Sequence, residues 1–240
     1  MTVAVGMSGG VDSTIAALIL KEQGHTVVAI TMQIWDGAVD LPDKGRSGCY
    51  GPGEVRDLEA ARVAAAQIGI PHHTISLAGE YSLCVLEYFR GEYKKGRTPN
   101  PCIVCNHKMK FGLLLDKARE QGLEFEAFAT GHYCRVQGDQ AGVYHLLRGV
   151  DQRKDQSYFL ARLTQDQLRH TVFPLGGMMK PEVIKKAREA GFDEIAAKDE
   201  SQDFIESEDY TPLFSNADSQ PGPIVDSAGR VLGTHRGIIH

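Results

Sequence analysis

The sequence predicts an α/β protein with an open, mostly parallel sheet that carries helices on both faces. Two observations predict this class. Short apolar runs alternate with longer Ala- and Leu-rich segments through the first half of the chain, and Gly or Pro often stands where one segment gives way to the next. This alternation is typical of strand–helix–strand units in a parallel sheet. The weaker patterns that follow predict a small helical region and then the start of a β-rich unit.

The alternating segments predict four strands and four helices. Residues 2–7 are apolar and end at a glycine turn, after which residues 11–21 are rich in Ile, Ala and Leu, with Gly24 as the helix stop. The other strands are predicted at 25–35, 71–77 and 125–131, and the other helices at 54–68, 78–96 and 112–122.

The later part of the chain has less regular patterns. They predict a strand at 142–150, a short helix at 165–171 and a helix at 181–191, which has Pro in its first turn and Gly at its end. Residues 207–222 are polar and rich in turn formers. The segment PIVDSAGRVLG then predicts a β-hairpin turning at residues 227–229.

Composition excludes several classes of protein. The 240 residues are 42% hydrophobic and 24% charged with a net charge of −5, which argues against a disordered or fibrous chain. No apolar run approaches the roughly 20 residues that span a membrane, and the first residues lack the pattern of a signal peptide. We therefore expect a cytoplasmic protein with no membrane partner. The odd number of cysteines, 5, argues against a disulfide framework.

A glycine turn between the first strand and helix carries the first functional motif, GMSGGVDS. Its glycines let the backbone approach a ligand, and its amides at a helix N-terminus suit anionic oxygens. Ser8 and Ser13 can add hydroxyl donors, whereas Asp12 would repel a phosphate unless it met Mg²⁺ or a donor. The spacing fits neither a Walker A loop nor the G-x-G-x-x-G fingerprint. It matches the PP-loop of ATP pyrophosphatases, against the simpler interpretation of a tight turn without a ligand. The residues concerned are Gly6, Met7, Ser8, Gly9, Gly10, Val11, Asp12 and Ser13.

A cysteine pair in a basic setting is the second motif. In RTPNPCIVCN, two prolines are expected to hold the chain extended before Cys102, and Cys105 completes a C-x-x-C spacing that suits a metal, a cluster or a redox pair. Positive charge lowers thiol pKa values and attracts phosphates. The alternative is two structural thiols near a solvated helix end. The neighbouring cations, against Glu92 alone, are Arg90, Lys94, Lys95, Arg97, Lys108 and Lys110.

Six blocks together resemble the tRNA-specific 2-thiouridylase family. They are GMSGGVDS, TMQIWD, GRTPNPCIVCNHKMKFG, ATGHY, KDQSYFL and PLGGMMKPEV, in the family's order along nearly the whole chain. The resemblance implies a PP-loop ATP pyrophosphatase catalytic domain at 1–206, with a fold like that of the adenine nucleotide alpha hydrolases. Residues 207–240 would be a linker and the start of a β-rich central domain, apparently truncated, because RVLGTHRGIIH resembles its opening.

The resemblance also implies an activity. The family replaces O2 of the wobble uridine of tRNA with sulfur, using ATP to adenylate that oxygen and a sulfur-carrying cysteine to displace AMP. It implies ATP and Mg²⁺ as cofactors, and tRNA and a sulfur donor or sulfur-carrier protein as partners.

Residue roles follow from motif position in the family. Cys105 aligns with the nucleophile, and Cys102 and Asp12 are the other candidate catalytic residues. Met32 and Gly131 align with positions that border the nucleotide. The alternatives are a core histidine for His132 and a surface turn for residues 154–156. The positions that align with contacts to the target base or tRNA are Asn100, Pro101, Cys102, His132, Lys154, Asp155 and Gln156.

The chain departs from the family at its cysteines. Many members have Asp at the position of Cys102, and they carry a second catalytic cysteine where this chain has Ile205. Either the C-x-x-C pair replaces the usual two-cysteine relay, or the pair holds a [4Fe-4S] cluster with a third ligand. Cys49, in the loop-like segment RSGCYGPGE, is the favoured third ligand, whereas Cys84 and Cys134 are expected to be packed thiols.

Two other functions stay open at this point. Another adenylating PP-loop enzyme, such as a ligase or amidotransferase synthetase, would need no thiols beside its nucleotide. A nucleotide- and metal-binding sensor would carry both motifs without catalysis.

Overall fold

The computed structural model of the chain describes residues 1–41, 43, 48–198, 203–215 and 218–239. Its strands are β1 (Thr2–Gly6), β2 (Thr26–Gln33), β3 (Gly48–Tyr50), β4 (His72–Ser76), β5 (Ala127–Thr130), β6 (Cys134–Gly138), β7 (Tyr144–Arg148), β8 (Thr171–Val172), β9 (Asp203–Ile205), β10 (Gly222–Val225) and β11 (Val231–His235). Its α-helices are α1 (Val11–Glu22), α2 (Glu54–Ile68), α3 (Ala78–Tyr81), α4 (Glu87–Lys94), α5 (Pro101–Val104), α6 (Leu114–Glu120), α7 (Gln165–Arg169), α8 (Lys180–Glu189) and α9 (Asp193–Ala197).

The main sheet has five parallel strands in the order β4-β2-β1-β5-β8, which confirms the predicted fold class. β1 lies at the centre, where Val5 stands beside Ala29 of β2 and Ala129 of β5. All three side chains are fully buried. The strand order reverses direction between β1 and β5, so the crevice at the carboxyl ends of these two strands is the topological switch point, where open α/β sheets bind ligands.

Helices cover both faces of the sheet, and each face has its own apolar core. On one face, small residues of α1 and α2, such as Ala17, Ala64 and Ala65, pack with Val183 and Ala187 of α8. Larger side chains, including Phe89, Phe111 and Phe128, fill the other face. The alanine-rich surfaces allow helix and sheet to approach closely. No α-helix in the described parts of the chain has the length and apolar character that crossing a membrane requires.

Three small two-stranded sheets accompany the main one. β6 and β7 pair antiparallel, as do β10 and β11, which form the predicted hairpin. β3 pairs in parallel with β9, placing Gly48 opposite Asp203 and Tyr50 opposite Ile205. The sequence predicted neither β3 nor β9. A strand of three residues leaves too short a pattern for periodicity to detect.

The segment around the cysteine pair differs from expectation. The two prolines were expected to keep the chain extended, but Pro101 opens α5 and both cysteines lie on the helix. Pro suits the first turn of a helix because an N–H at that position would have no acceptor within the helix. The amide of Ile103 donates to Oδ1 of Asn100, 3.1 Å away, which caps the helix. α5 continues through a π-helical segment, Cys105–Leu113, into α6.

Candidate functional site

The glycine turn forms an open loop of backbone amides between β1 and α1. The amide of Ser8 donates to Oγ of Ser13 at 3.1 Å, and the two hydroxyls lie 3.3 Å apart. Oγ of Ser13 also donates to the carbonyl of Gly10 at 3.1 Å. Gly10 is the N-cap of α1, and because it has no side chain, it does not accept a hydrogen bond from the first amides of the helix. The first amides of this 12-residue helix therefore point into the switch-point crevice, which suits an anion.

Two glycines are required by this geometry. Gly9 has φ +73°, and a Cβ there would lie 2.5 Å from the carbonyl oxygen of Asp57. Gly131 follows β5 and packs against the loop: its Cβ would lie 2.6 Å from the carbonyl carbon of Asp12 and 2.7 Å from the amide of Ser13. Neither position accepts a side chain without moving backbone. The loop and the ATGHY block, predicted to border one nucleotide, are in direct contact.

Asp12 has two donors, which answers the question of why a carboxylate stands in an anion loop. Nζ of Lys180 lies 2.8 Å from both of its oxygens, and the Tyr133 hydroxyl donates to Oδ1 at 2.8 Å. The side chain of Lys180 is 14% exposed and that of Asp12 28%. The carboxylate is thus neutralised by protein groups.

Sequence reasoning missed Lys180 and Tyr133 as members of this site, although both stand in the quoted blocks. One signal could have found Lys180. It occupies the first position of α8, where the helix dipole disfavours a cation. A lysine at that position therefore indicates a local negative partner, which is Asp12.

Met32 lies near the carboxyl end of β2, opposite Ile75 of β4, and is half-buried. Gly6, at the end of β1, lies against the ring of Phe128, where a Cβ would approach to 3.0 Å. The residues predicted to border a nucleotide therefore follow β1, β2 and β5 at one edge of the sheet.

The cysteines lie on three elements. Cys102 and Cys105 are one helical turn apart at the α5–π-helix junction, and both are half-buried. Cys49 is in β3, which lies beside β9 and so beside Phe204 and Ile205. The parallel β3–β9 pair therefore brings Cys49 next to the strand in which the resembled family carries its second cysteine.

Electrostatics link the three thiols. Burial raises the pKa of Cys105 to about 12 and that of Cys102 to about 11, and it also raises the pKa of Cys49, although the residue keeps access to solvent. The Lys110 ammonium opposes burial at all three and lowers each pKa. Ionisation of Cys49 would raise the pKa values of Cys102 and Cys105 further, and the three residues are here called the thiol cluster.

The remaining cysteines are separate from this cluster. Cys134 is fully buried at the start of β6, as expected of a packed thiol. Cys84 is half-buried within a second π-helical segment, Ser82–Leu86.

His132 lies next to the glycine that packs on the anion loop and near the helical segment that begins at Cys105. It follows Gly131, and its ring centre is 6.2 Å from that of Phe111 in the π-helical segment. Its Nδ1 lies 2.7 Å from the Thr130 hydroxyl. Burial and the nearby Lys110 lower the pKa of His132 to about 3, so the imidazole is neutral at physiological pH.

The turn at residues 154–156 holds the backbone of neighbouring segments, including that of Tyr133. Oδ1 of Asp155 accepts from the Gly149 amide at 3.0 Å, and Oε1 of Gln156 accepts from the Tyr133 amide at 3.0 Å. Tyr133 in turn donates to Asp12. Lys154 is half-buried in the same turn. Asp155 and Gln156 thus have internal partners, and their predicted contact with tRNA stays a prediction.

The three cysteines predicted to hold an iron–sulfur cluster do not form a metal site. Within the described ranges, no three His, Cys, Asp or Glu side chains are grouped closely enough to hold a metal ion. The thiols of the cluster influence one another but are not arranged as ligands of one metal. The residues present therefore do not fit a cluster as they stand. The Asp12 carboxylate already accepts hydrogen bonds from Lys180 and Tyr133. It therefore suits Mg²⁺ only when phosphate oxygens are bound at the same place.

The chain is similar to proteins named tRNA-specific 2-thiouridylase MnmA. It is 46% identical over 242 residues to that of Geobacter metallireducens, covering 98% of this chain and 64% of the relative. It is also 46% identical to that of Endomicrobium trichonymphae, covering 99% of this chain and 66% of the relative. The chain thus spans slightly less than two thirds of the length of these relatives.

A solved structure described as a complex of a 4-thiouridine synthetase with RNA and bound ATP shares the fold. Its TM-score is 0.51 at 18% identity, over 84% of this chain and 44% of that one. The family model for the tRNA methyl transferase HUP domain matches residues 1–206. Together with the relatives, this match confirms the resemblance given by the six sequence blocks, and the chain belongs to the tRNA methyl transferase HUP domain family.

Proposed function

We propose that the chain is an ATP-dependent sulfurtransferase that thiolates the wobble uridine of tRNA at position 2. One arrangement supports the proposal: residues that follow β5 link the glycine loop to the helical segment that carries the cysteine pair. Gly131 packs against the loop at Asp12, and the ring centre of the next residue, His132, lies 6.2 Å from that of Phe111, in the segment that begins at Cys105. The relatives' name supplies the substrate, tRNA, and the product, 2-thiouridine.

The anion loop would hold ATP. The amides at the start of α1 and the hydroxyls of Ser8 and Ser13 face the phosphates, and Met32 and Gly131 border the nucleoside. Asp12 would help to hold Mg²⁺, which would supply positive charge to the phosphates, and Lys180 would then be available to pair with a phosphate oxygen. Such an exchange would keep the Asp12 and Lys180 charges paired in both states. Uridine O2 attacks the α-phosphorus, the bond to the bridging oxygen breaks and pyrophosphate leaves.

The cysteine pair would deliver sulfur. A persulfide donor transfers its outer sulfur to Cys105, and that sulfur attacks C2 of the adenylated base, from which AMP leaves with the former O2. Cys102, one helical turn away, then attacks Sγ of Cys105. The sulfur–sulfur bond to the base breaks, its electron pair forms the thiocarbonyl, and a Cys102–Cys105 disulfide remains. An external thiol reductant restores the pair. Neighbours three residues apart on a helix have Cβ atoms about 5–6 Å apart, so only a small adjustment is needed.

Neutral His132 and the capped start of α5 line the space between the two sites, where the target base would lie. Asn100 and Pro101 form this helix end, and we expect Lys154 to add a cation to the contact with tRNA. Their contact with tRNA is part of the proposal, as is the cytoplasmic location expected from composition.

The test is tRNA-dependent chemistry. The full chain is incubated with MgATP, an unmodified tRNA transcript and glutathione persulfide, and pyrophosphate, AMP and 2-thiouridine are measured. The proposal expects all three products and none without tRNA. Pyrophosphate without 2-thiouridine at any persulfide concentration would favour another adenylating enzyme, whereas ATP binding without turnover would favour a sensor.

Iron content separates the two sulfur routes. Because the thiols do not fit a metal site as arranged, anaerobically purified protein is expected to be colourless and to hold no stoichiometric iron. Iron that is lost in Cys49→Ala, together with broad absorption near 400 nm, would instead support a cluster held by Cys49, Cys102 and Cys105, and would contradict the persulfide route.

A further inference from the structure

One aromatic ring lies exposed near the helical segment that carries the cysteine pair. Of the aromatic residues in the described ranges, only Tyr158 is exposed, with 64% of its surface accessible to solvent. It belongs to the 3₁₀-helix Ser157–Leu160, which packs against α5 and the π-helical segment. Single exposed apolar residues are common, so exposure alone indicates no function. The contacts that hold Tyr158 and the charges around it do indicate one.

A hydrogen bond ties the 3₁₀-helix to the cysteine pair. The carbonyl of Phe159 accepts from Nδ2 of Asn106 at 3.2 Å. Asn106 is buried and directly follows Cys105 in the chain. Tyr158 is thus one residue away from a backbone group that is bound by the neighbour of Cys105, and this contact sets its position relative to the cysteine.

The Tyr158 side chain is restricted although it is exposed. The amide of Gln156 donates to the carbonyl of Tyr133 at 3.0 Å, which fixes the backbone just before it. The ring centres of Tyr158 and Phe159 are 5.6 Å apart with an angle of 72° between the planes, an edge-to-face contact. A ring that is already held in this way loses little conformational entropy when a ligand binds.

The chain on both sides of Tyr158 is positively charged. Its nearest charged neighbours in sequence are the cations Arg153, Lys154 and Arg162, against one carboxylate, that of Asp155. The Asp155 carboxylate accepts hydrogen bonds from within its own turn. The exposed charge near the ring is therefore positive.

The neighbouring helical segment adds to this charge. Residues 98–110 contain no Asp or Glu, and Lys108, two residues after Asn106, is exposed. Burial lowers the pKa of His107, and Arg162 and Lys108 both lower it further, so the two cations act on the same residue. An exposed ring is thus accompanied by cations from two packed segments.

We propose that Tyr158 stacks on an unpaired base of the substrate RNA, next to the target uridine, while the surrounding cations bind the phosphates. The inference rests on the proposed function, because it takes tRNA as the substrate. Proteins bind single-stranded nucleic acid by stacking its bases on aromatic rings beside cations, and RNA loops offer such unstacked bases. The target base must be enclosed for its chemistry, so an exposed ring suits the base beside it.

A sulfur-carrier protein is the competing occupant of this surface. The centre of a protein–protein interface is depleted in charged residues and contains contiguous apolar surface. Tyr158 instead stands as a single ring among Arg153, Lys154 and Arg162. The charge around the ring therefore favours RNA.

The test measures RNA affinity and needs neither ATP nor sulfur. Fluorescence anisotropy gives the Kd of the full chain for an unmodified tRNA assembled by ligation, either intact or with one base of the anticodon loop removed. We expect Tyr158→Ala to bind the intact tRNA about tenfold more weakly, because the stacking of one base is lost. Tyr158→Phe keeps the ring and should bind like the wild type. Val63→Ala, which changes an exposed apolar residue of α2, is the matched control and should have no effect.

The effects of removing the ring and the base should not add. For the tRNA that lacks the stacked base, the wild type and Tyr158→Ala should have equal affinity, because the contact is already lost. The salt dependence of binding should be the same for Tyr158→Ala and the wild type. Arg162→Ala should instead reduce the slope of log K against log salt concentration by about 0.7, as expected for one lost phosphate contact.

Equal affinity of Tyr158→Ala and the wild type for intact tRNA, with native circular dichroism, would overturn the inference. A loss that persists whichever base is removed would overturn it too, since the ring would then act on the fold. If Tyr158→Ala does not fold, Tyr158→Leu is measured in the same way and decides the question. Unchanged RNA binding with slower sulfur transfer from a persulfide-carrying protein, but not from glutathione persulfide, would assign the ring to a protein partner and reject the inference.

The outcome is separable from that of the proposed function. Thiolation by the wild type, together with normal tRNA binding by Tyr158→Ala, would reject only the stacking contact. Base-dependent binding through Tyr158 in a chain that never thiolates tRNA would reject only the proposed function. No binding of tRNA by the wild type would overturn the inference, while the products of the reaction decide the proposed function independently.

Discussion

At the scale of single residues, the site depends on charges that are paired inside the protein. The Lys180–Asp12–Tyr133 contacts are the clearest case, because one carboxylate accepts from two donors beside an anion loop. The motif alone predicted a role for Asp12 but not its partners. Lys180 is 168 residues away in sequence, and only folding brings the two together.

Lys180→Met should weaken ATP binding about 10- to 100-fold. A hydrogen bond to a charged group contributes about 1.5–3 kcal/mol, and its loss also leaves the Asp12 carboxylate facing the phosphates. Calorimetric titration with ATP and Mg²⁺ measures the effect. Lys185→Met, on the same helix with a side chain that is 77% exposed, is the matched control. Equal ATP affinity in the two variants would remove Lys180 from the site.

The pKa of His132 predicts how the stability of the protein depends on pH. Its pKa is about 3 in the folded protein against about 6.5 when unfolded, so the unfolded state binds a proton first as the pH falls. Stability should therefore decrease from about pH 6.5 toward pH 3, by at most about 1.4 kcal/mol per pH unit from this residue. His132→Asn should reduce that slope in urea unfolding between pH 7 and 5. His145→Asn, whose side chain is 53% exposed, is the control, and equal slopes for both variants would refute the assignment.

At the scale of elements, the π-helical segment that begins at Cys105 is held by a side chain of a neighbouring helix. Gln167 of α7 supports it: Nε2 donates to the carbonyls of His107 and Phe111, each at 2.9 Å. These carbonyls are four residues apart, where an α-helix would have paired the first with the amide of Phe111. The Gln167 side chain thus donates to carbonyl groups that the wider π-helical turn leaves accessible. Its Oε1 accepts from the Thr164 amide at 3.0 Å.

Gln167→Leu should destabilise the protein by about 1–3 kcal/mol, because it leaves part-buried carbonyls without this donor. Urea unfolding measures the loss. Asp166→Ala, the neighbouring position with an 88% exposed side chain, should cost less than about 1 kcal/mol. If the two variants lose the same stability, Gln167 does not support the π-helical segment.

The elements also mark the limits of sequence reasoning. Strong periodicity predicted four of the five strands of the main sheet and helices α1, α2 and α8 well, whereas the two-residue strand β8 was missed and its first residue was assigned to a helix. Residues 101–111 were not predicted as helix, because a π-helical stretch does not follow the 3.6-residue period and because prolines usually indicate extended chain. The β3–β9 pairing depends on a contact between segments more than 150 residues apart, which no local pattern records.

At the scale of the whole molecule, the two sequence motifs lie on opposite faces of the main sheet and are linked through residues that follow β5. β1 and β5 end at the switch point and carry the anion loop and Gly131, while the helix of the opposite face presents the thiols. The fold class and the two motifs could be predicted from sequence, because each is contiguous. The contacts that link their segments could not, since Gly131 packs on the loop and His132 lies near Phe111 only in the folded chain.

The central claim is that the loop activates the tRNA base and Cys105 delivers the sulfur. The most direct test is a single-turnover reaction of wild type and Cys105→Ser with MgATP, tRNA and glutathione persulfide, measuring pyrophosphate and 2-thiouridine in the same sample. We expect Cys105→Ser to release pyrophosphate in a tRNA-dependent manner and to form no 2-thiouridine, because only the sulfur step is lost. Formation of 2-thiouridine by Cys105→Ser at the wild-type rate would contradict the account.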